Sequence, residues 1–196
     1  VKSLLKDNKF VVTLGGEHSI TSPIVRAFKE KYPDMGVLQI DAHADLREEF
    51  EGSKHSHSCA MRRTIEICPV VQVGIRSLSG EEANFIKQRK LRIFWAKDIV
   101  DNEKWFDEAV KMLPRNVYIT FDLDAFDPSI MPAVGTPEPG GFGYYQVLHF
   151  LKKVFREKNV VGCDVVELLP TESSAASDFT AAKLVYKMIG YKFGKK

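Results

Sequence analysis

Apolar residues gather in six short runs along the chain, at residues 9–14, 36–41, 69–75, 91–95, 117–123 and 160–167. Most are rich in Val and Ile and continuously apolar, the pattern of parallel strands covered on both faces. The stretches between them carry helical signals. Lys2-Ser-Leu-Leu-Lys6 opens the chain in helical form, and Ser22-Pro23 pairs a capping residue with a first-turn proline. Ser79-Gly-Glu-Glu82 gives another helix an acidic first turn, with Phe85 and Ile86 facing the sheet. Tyr144 to Phe155 and Ala175 to Ile189 repeat apolar residues at helical spacing. Strands alternating with helices predict an α/β domain of three layers, α/β/α, with a mainly parallel sheet. No repeat, low-complexity tract or linker divides the chain, so residues 1–196 read as one domain. Two regions break the alternation. Leu46 to Ser58 is polar without periodicity, and Asp127 to Gly143 is rich in Pro and Gly.

Composition narrows the function classes. Apolar residues make up 44% and charged residues 28%, an ordinary globular balance, and 196 residues suffice for a sizeable core. A net charge of +2 is too small to argue for nucleic acid or an anionic membrane. Lys87-Gln-Arg-Lys90 and the terminal Lys195-Lys196 read as solvated ends of elements. No apolar run approaches a membrane span, and the sequence as it stands opens without a secretory pattern. Cys59, Cys68 and Cys163 are odd in number and lack Cys-x-x-Cys spacing, so a reduced, cytoplasmic setting is expected.

The candidate chemistry sits where apolar runs end. Gln39-Ile-Asp-Ala-His-Ala-Asp-Leu46 sets Asp41, His43 and Asp45 at alternating positions, and a strand sends every second side chain to one face. Val117-Tyr-Ile-Thr-Phe-Asp-Leu-Asp124 does the same with Asp122 and Asp124. Phe10-Val-Val-Thr-Leu14 runs into Gly15-Gly-Glu-His-Ser19, whose glycines permit a tight turn and close approach and leave His18 at the strand's carboxyl end. Four converging carboxylates repel one another unless cations lie between them. Two divalent ions would neutralise the four, so the candidate ligands His18, Asp41, His43, Asp45, Asp122 and Asp124 favour a two-metal site. An oxygen-rich set with two imidazoles and no thiolate suits manganese better than a structural zinc site. Any one of these segments alone is more often a loop cap or a solvated pair. Their joint placement at the strand ends of a parallel sheet is where open α/β folds hold ligands. Asp127-Pro128 reads as a turn former, and His149 as a packing or surface residue.

Gly-Gly-Glu-His-Ser, Asp-Ala-His-Ala-Asp and Phe-Asp-Leu-Asp-Ala-Phe-Asp-Pro resemble the three metal-binding motifs of the ureohydrolases: arginases, agmatinases and formimidoylglutamases. Gly135-Thr-Pro-Glu-Pro-Gly-Gly141 resembles the turn after the last metal motif in agmatinases. Gly162-Cys-Asp-Val-Val-Glu-Leu-Leu-Pro170 resembles the strand that presents a substrate-facing glutamate. The likeness runs in order from about residue 9 to residue 190. It implies two Mn2+ per chain and hydrolysis of a small cationic guanidino substrate to urea and an amine, by a homo-oligomer, trimer or hexamer. It also implies an upstream segment, so a chain opening at Val1 is expected to be a fragment or a shortened form.

Residue by residue, the resemblance gives His18 and Asp45 to one ion, His43 and Asp124 to the other, and lets Asp41 and Asp122 bridge both. It puts His57 where the family has a loop histidine that shuttles protons, in preference to the neighbouring His55. Glu167 takes the substrate guanidinium, which pairs with a carboxylate through two hydrogen bonds. Asp45, His57 and Glu167 are thus the expected catalytic residues. Arginases carry an asparagine where this chain has Arg47, a departure that favours agmatinase chemistry: agmatine to putrescine and urea, a step in polyamine biosynthesis. Arginine, guanidinobutyrate and aminopropylagmatine are the alternative substrates. A truncated, non-catalytic metal binder and a single-zinc deacetylase on a related fold are the alternatives outside the class.

Overall fold

The computed structural model describes residues 1–194, and the Lys195-Lys196 pair lies outside them. Each apolar run contributes a strand: β1 (Val11–Leu14), β2 (Gly36–Ile40), β3 (Val70–Ile75), β4 (Ile93–Trp95), β5 (Asn116–Asp122) and β6 (Asn159–Val166). All neighbouring pairs are parallel, in the order β1-β6-β5-β2-β3-β4. The helices are α1 (Lys2–Lys6), α2 (Thr21–Lys31), α3 (Ala60–Ile65), α4 (Gly80–Arg89), α5 (Ala96–Ile99), α6 (Phe106–Met112), α7 (Tyr144–Glu157) and α8 (Ala176–Phe193).

Alternation along the strands builds the three layers. Leu38, Ile40, Ile119, Phe121, Cys163 and Val165 join a core with α6, α7 and α8. Val37 and Tyr118 face the other way and pack with Leu5 of α1 and Val25 and Phe28 of α2, joined by Val161 where the β5–β6 register shifts. A third cluster joins Ala44 and Leu46, beyond β2, to Ile75, Met61 of α3, and Phe85 and Ile86 of α4. Continuous apolar strands are what a sheet buried on both faces requires.

Local signals hold in some places and fail in others. Ser79 and Glu82 form the reciprocal cap of α4, each side chain accepting from the other's backbone N–H. Ser22 does not cap α2. The helix follows directly on a 3-10 turn, His18–Ile20, so Ser22 is already inside it and Glu17 caps the turn instead. α5 and α6 have only 4 and 7 residues, too few turns to display a hydrophobic period. Among the described residues no helix is long and apolar enough to cross a membrane.

The strand order reverses between β2 and β5: β3 and β4 continue from β2 on one side, while β6 and β1 lie beyond β5 on the other. Parallel sheets open a crevice at the carboxyl ends of the strands at such a point.

Candidate metal centre

The crevice receives the acidic motifs. Ile40 of β2 pairs in register with Phe121 of β5, which sets Asp41 beside Asp122 one residue further on. Backbone hydrogen bonds from Asp41 N to Val73 O (3.1 Å), Arg76 N to Ala42 O (2.8 Å) and Arg62 N to Asp45 O (2.9 Å) fix the loop after β2. Asp45 adopts a left-handed backbone (φ 53°), which aspartate tolerates better than most residues. Gly74 (φ 92°) lets β3 approach from below, because a Cβ there would lie 2.6 Å from Phe142 and 3.0 Å from Asp41 O. Of the two glycines before His18, only Gly15 is in close contact: a Cβ there would meet Ile20 at 2.3 Å and Val166 at 2.9 Å. Neither Gly15 nor Gly16 uses the positive-φ freedom of glycine.

The six expected ligands come together. His18 Nδ1 lies 3.0 Å from Asp45 Oδ2, 3.2 Å from Asp41 Oδ2 and 3.3 Å from Asp122 Oδ2. His43 Nδ1 lies 2.8 Å from Asp124 Oδ2 and 3.8 Å from Asp41 Oδ1. Two groups of potential ligand atoms result, His18–Asp41–Asp122 and Asp41–His43–Asp124, with Asp41 common to both. Five of the six side chains are buried, while His43 is 24% exposed.

Such a cluster distorts every ionisation in it. Burial and repulsion from Asp124 and Asp45 push the Asp41 carboxyl up to about 7. Burial, Asp124 and Asp41 raise Asp122 well above the ordinary range. Burial opposes charge on the imidazoles, yet their carboxylate neighbours win: His43 rises to about 9 beside Asp124, and His18 rises well above its usual value. Asp124 is buried too, but the His43 imidazole holds its carboxyl below the usual range.

The donor set fits divalent cations. His18 Nδ1 is fully buried and makes no hydrogen bond to any of the three carboxylates around it. A cation held by those residues would give this nitrogen a partner and offset the carboxylate repulsion. His43 Nδ1 with Asp41 and Asp124 makes the matching half.

The centre opens into a pocket of about 470 Å³ lined by His57, Arg47, Phe50, Glu82, Thr136 and Glu167, among others. Glu167 has a left-handed backbone (φ 68°), an arrangement costing about 1–3 kcal/mol that persists only where the surroundings enforce it. Its N–H donates to Gly16 O at 2.8 Å, and its Oε1 accepts from His18 N at 2.7 Å. Burial raises its carboxyl, opposed by that N–H. His57 stands at the rim, 48% exposed, edge-on to Phe50 and 3.8 Å from Glu17 Oε2. His55 is exposed and is not among the lining residues. Arg47 lies over the Phe50 ring at 4.9 Å, with Nε 3.8 Å from Glu82 Oε2.

The remaining polar residues sort clearly. Asp127 is a turn former: it accepts from Ser129 and from Gly140 N and Gly141 N, which hold its carboxyl at about 2. His149 is exposed and pairs with Glu103 at 2.7 Å. Cys59 is buried, its thiol toward Ser53 O. Sequence reading misses two supports. Arg76 donates to Asp124 O (2.7 Å), Glu138 O (2.8 Å) and Pro139 O (3.1 Å), tying the Pro-Gly turn to the end of β5. Gln39 Nε2 donates to Asp41 Oδ2 (2.7 Å) and is itself held by Gln72. The available signal is a glutamine inside each of two otherwise apolar strands.

The chain is similar to known proteins over nearly its whole length. A family model described as the Arginase family matches residues 1–190. An N(1)-aminopropylagmatine ureohydrolase of Synechocystis sp. is 45% identical over 97% of this chain and 63% of its own length. An agmatinase of Pyrococcus horikoshii is 37% identical over 91% of this chain and 62% of its own. The chain thus spans under two thirds of the length of these relatives. The crystal structure of the agmatine ureohydrolase of Thermoplasma volcanium superposes with a TM-score of 0.86 at 33% identity, covering 97% of this chain and 65% of that one.

Proposed function

Because this chain belongs to the arginase family, we propose that it is a two-metal ureohydrolase, with two Mn2+ per chain, that cleaves the guanidino group of agmatine to putrescine and urea. The observation that carries this reading is the orphaned His18 Nδ1 at the centre of three carboxylates, with a second imidazole–carboxylate group sharing Asp41. When bound, such a cation pair supplies Lewis-acid polarisation and activates water near neutral pH. His18, Asp41, Asp45 and Asp122 would hold one cation, and His43 and Asp124, with Asp41 and Asp122 again, would hold the other. The oxygen-rich donor set supports manganese.

Glu167 holds the substrate guanidinium. One carboxylate oxygen is fixed by His18 N–H, which orients the group and leaves its other acceptor sites for the cation. His57 delivers a proton to the leaving amine from the rim, where it meets both solvent and pocket. Arg47 is engaged by Phe50 and faces Glu82, an arrangement ill-suited to clamping an amino-acid carboxylate, which supports a decarboxylated guanidine over arginine. A second reading, N1-aminopropylagmatine as the substrate, is favoured by the higher identity to relatives of that name, 45% against 37% for the Pyrococcus agmatinase. A cytoplasmic homo-oligomer, trimer or hexamer, completes the proposal.

A urea-release assay with manganese across agmatine, N1-aminopropylagmatine, guanidinobutyrate and arginine tests it. Agmatine or its aminopropyl derivative should exceed arginine by about a hundredfold or more in kcat/KM. Preference for arginine would overturn the substrate, and release from none of the four would overturn the activity.

The two loop histidines separate by mutation. His57→Ala should lower kcat about a hundredfold or more with the metal content unchanged, since an acid–base group outside the ligand shell is lost. His55→Ala should match the parent. The opposite ranking would move the shuttle to His55 and leave the metal ligands as assigned.

A further inference from the structure

Beneath the metal centre the sheet holds a buried carboxylate that the chemistry above leaves unused. Asp164 of β6 is fully buried, in register with Thr120 of β5 and Thr13 of β1. Three hydroxyls converge on it. Thr120 Oγ1 donates to Oδ1 at 2.6 Å, while Tyr118 OH and Thr21 Oγ1 donate to Oδ2 at 2.9 and 3.0 Å.

Each hydroxyl has a single hydrogen. Thr120 commits its hydrogen to Asp164, the shortest of its contacts, with Thr21 Oγ1 further off at 3.3 Å. Toward its remaining partner, His18 Nε2 at 2.8 Å, Thr120 Oγ1 can therefore act only as an acceptor. Nε2 must carry a proton. The lone pair of the neutral ring then falls on Nδ1, the nitrogen aimed at Asp41, Asp45 and Asp122.

We propose that Asp164 is a positioning residue that, acting through Thr120, fixes the tautomer of His18 and so makes Nδ1 its metal-binding nitrogen. The proposal rests on the metal reading given above. An imidazole facing three carboxylates would otherwise keep its proton on Nδ1, where it competes with a cation for the same oxygens. A threonine with a free hydrogen could accept that tautomer by donating to Nε2. Asp164 removes the option by occupying the hydrogen. Burial pushes the Asp164 carboxyl up, and the hydroxyls of Thr120, Tyr118 and Thr21 work against that rise. Partners of this kind behind a ligand are worth about 10–100-fold in metal affinity.

Two substitutions at Thr120 separate a relay from mere packing. Valine keeps the shape and loses the hydroxyl, whereas serine keeps the hydroxyl and loses a methyl. Zinc, a diamagnetic probe, is titrated into the protein, and the ring nitrogens of 15N-labelled His18 are read by long-range proton–nitrogen correlation. The expected result is a slowly exchanging proton on Nε2 with and without zinc, and a shift of Nδ1 alone on binding. Thr120→Val should lose the protected Nε2 proton and about 10–100-fold in zinc affinity, Thr120→Ser should retain both, and Asp164→Val, which removes the acceptor of the Thr120 hydrogen, should weaken binding. Binding through Nε2, or affinity kept by Val and lost by Ser, overturns the proposal. Should Thr120→Val fail to fold, the parent and Thr120→Ser decide it: the relay requires both to keep the protected Nε2 proton and to bind zinc through Nδ1. If zinc moves neither ring nitrogen, the metal reading fails, while the position of the proton still decides the relay.

Discussion

Replacing Asp41 by Asn is expected to abolish binding of both cations and to reduce turnover on the order of a thousandfold or more. Asp41 belongs to both groups of potential ligand atoms, and it is fully buried. The amide removes the charge from both halves and leaves an oxygen donor for at most one, whereas His18→Ala should mainly affect one. Thermal shift reads the binding directly, because a ligand bound only by the folded state raises Tm. The rise given by Mn2+ in the parent should be absent in Asp41→Asn. In the parent it should also be larger at pH 8.5 than at pH 6.5. Without a cation, the fold loses stability as Asp41 ionises on approach to about 7, since its carboxyl is raised from 3.8 by burial and its acidic neighbours. It loses more as His43 gives up its proton between 6.5 and about 9, where burial opposes the charge and Asp124 sustains it. A bound cation displaces both protons, so its contribution grows across that window. A pH-independent shift would contradict the protonation pattern derived for the cluster.

Glu167→Gln should lower kcat/KM for a guanidino substrate on the order of a hundredfold or more while the metal content stays as in the parent. The amide keeps the shape but cannot form the charge-assisted pair with a guanidinium. One oxygen of Glu167 is bound to His18 N–H, and glutamine can preserve that contact with its carbonyl. The fold around the left-handed residue should therefore survive. Steady-state kinetics together with metal analysis check this: metal loss in step with activity would mean that Glu167 serves the ligand shell.

The sheet and the six clustered side chains are legible in the sequence because both follow from local pattern. Continuous Val- and Ile-rich runs signal strands covered on two faces, and alternating Asp and His at their ends can be read residue by residue. What escapes depends on register between distant segments. Asp164 touches Thr120 only because β6 lies beside β5, and no spacing along the chain announces that pairing. Arg76 looks like an ordinary charged residue after β3 until the turn around Glu138 folds onto it. Glu82 reads as a helix-start acid, which it is; that it also accepts from Leu46 N and lines the pocket follows from tertiary packing alone. Ser22 misleads for the converse reason. A sound capping signal is overridden by the turn that carries His18 into the crevice, which starts the helix already at Thr21.

Metal content per chain after loading with manganese tests the central claim most directly. The arrangement of His18 and His43 around the shared Asp41 predicts two ions per chain in the parent and about one in His18→Ala. One tightly held zinc per chain, with no second ion at saturating manganese, would contradict it.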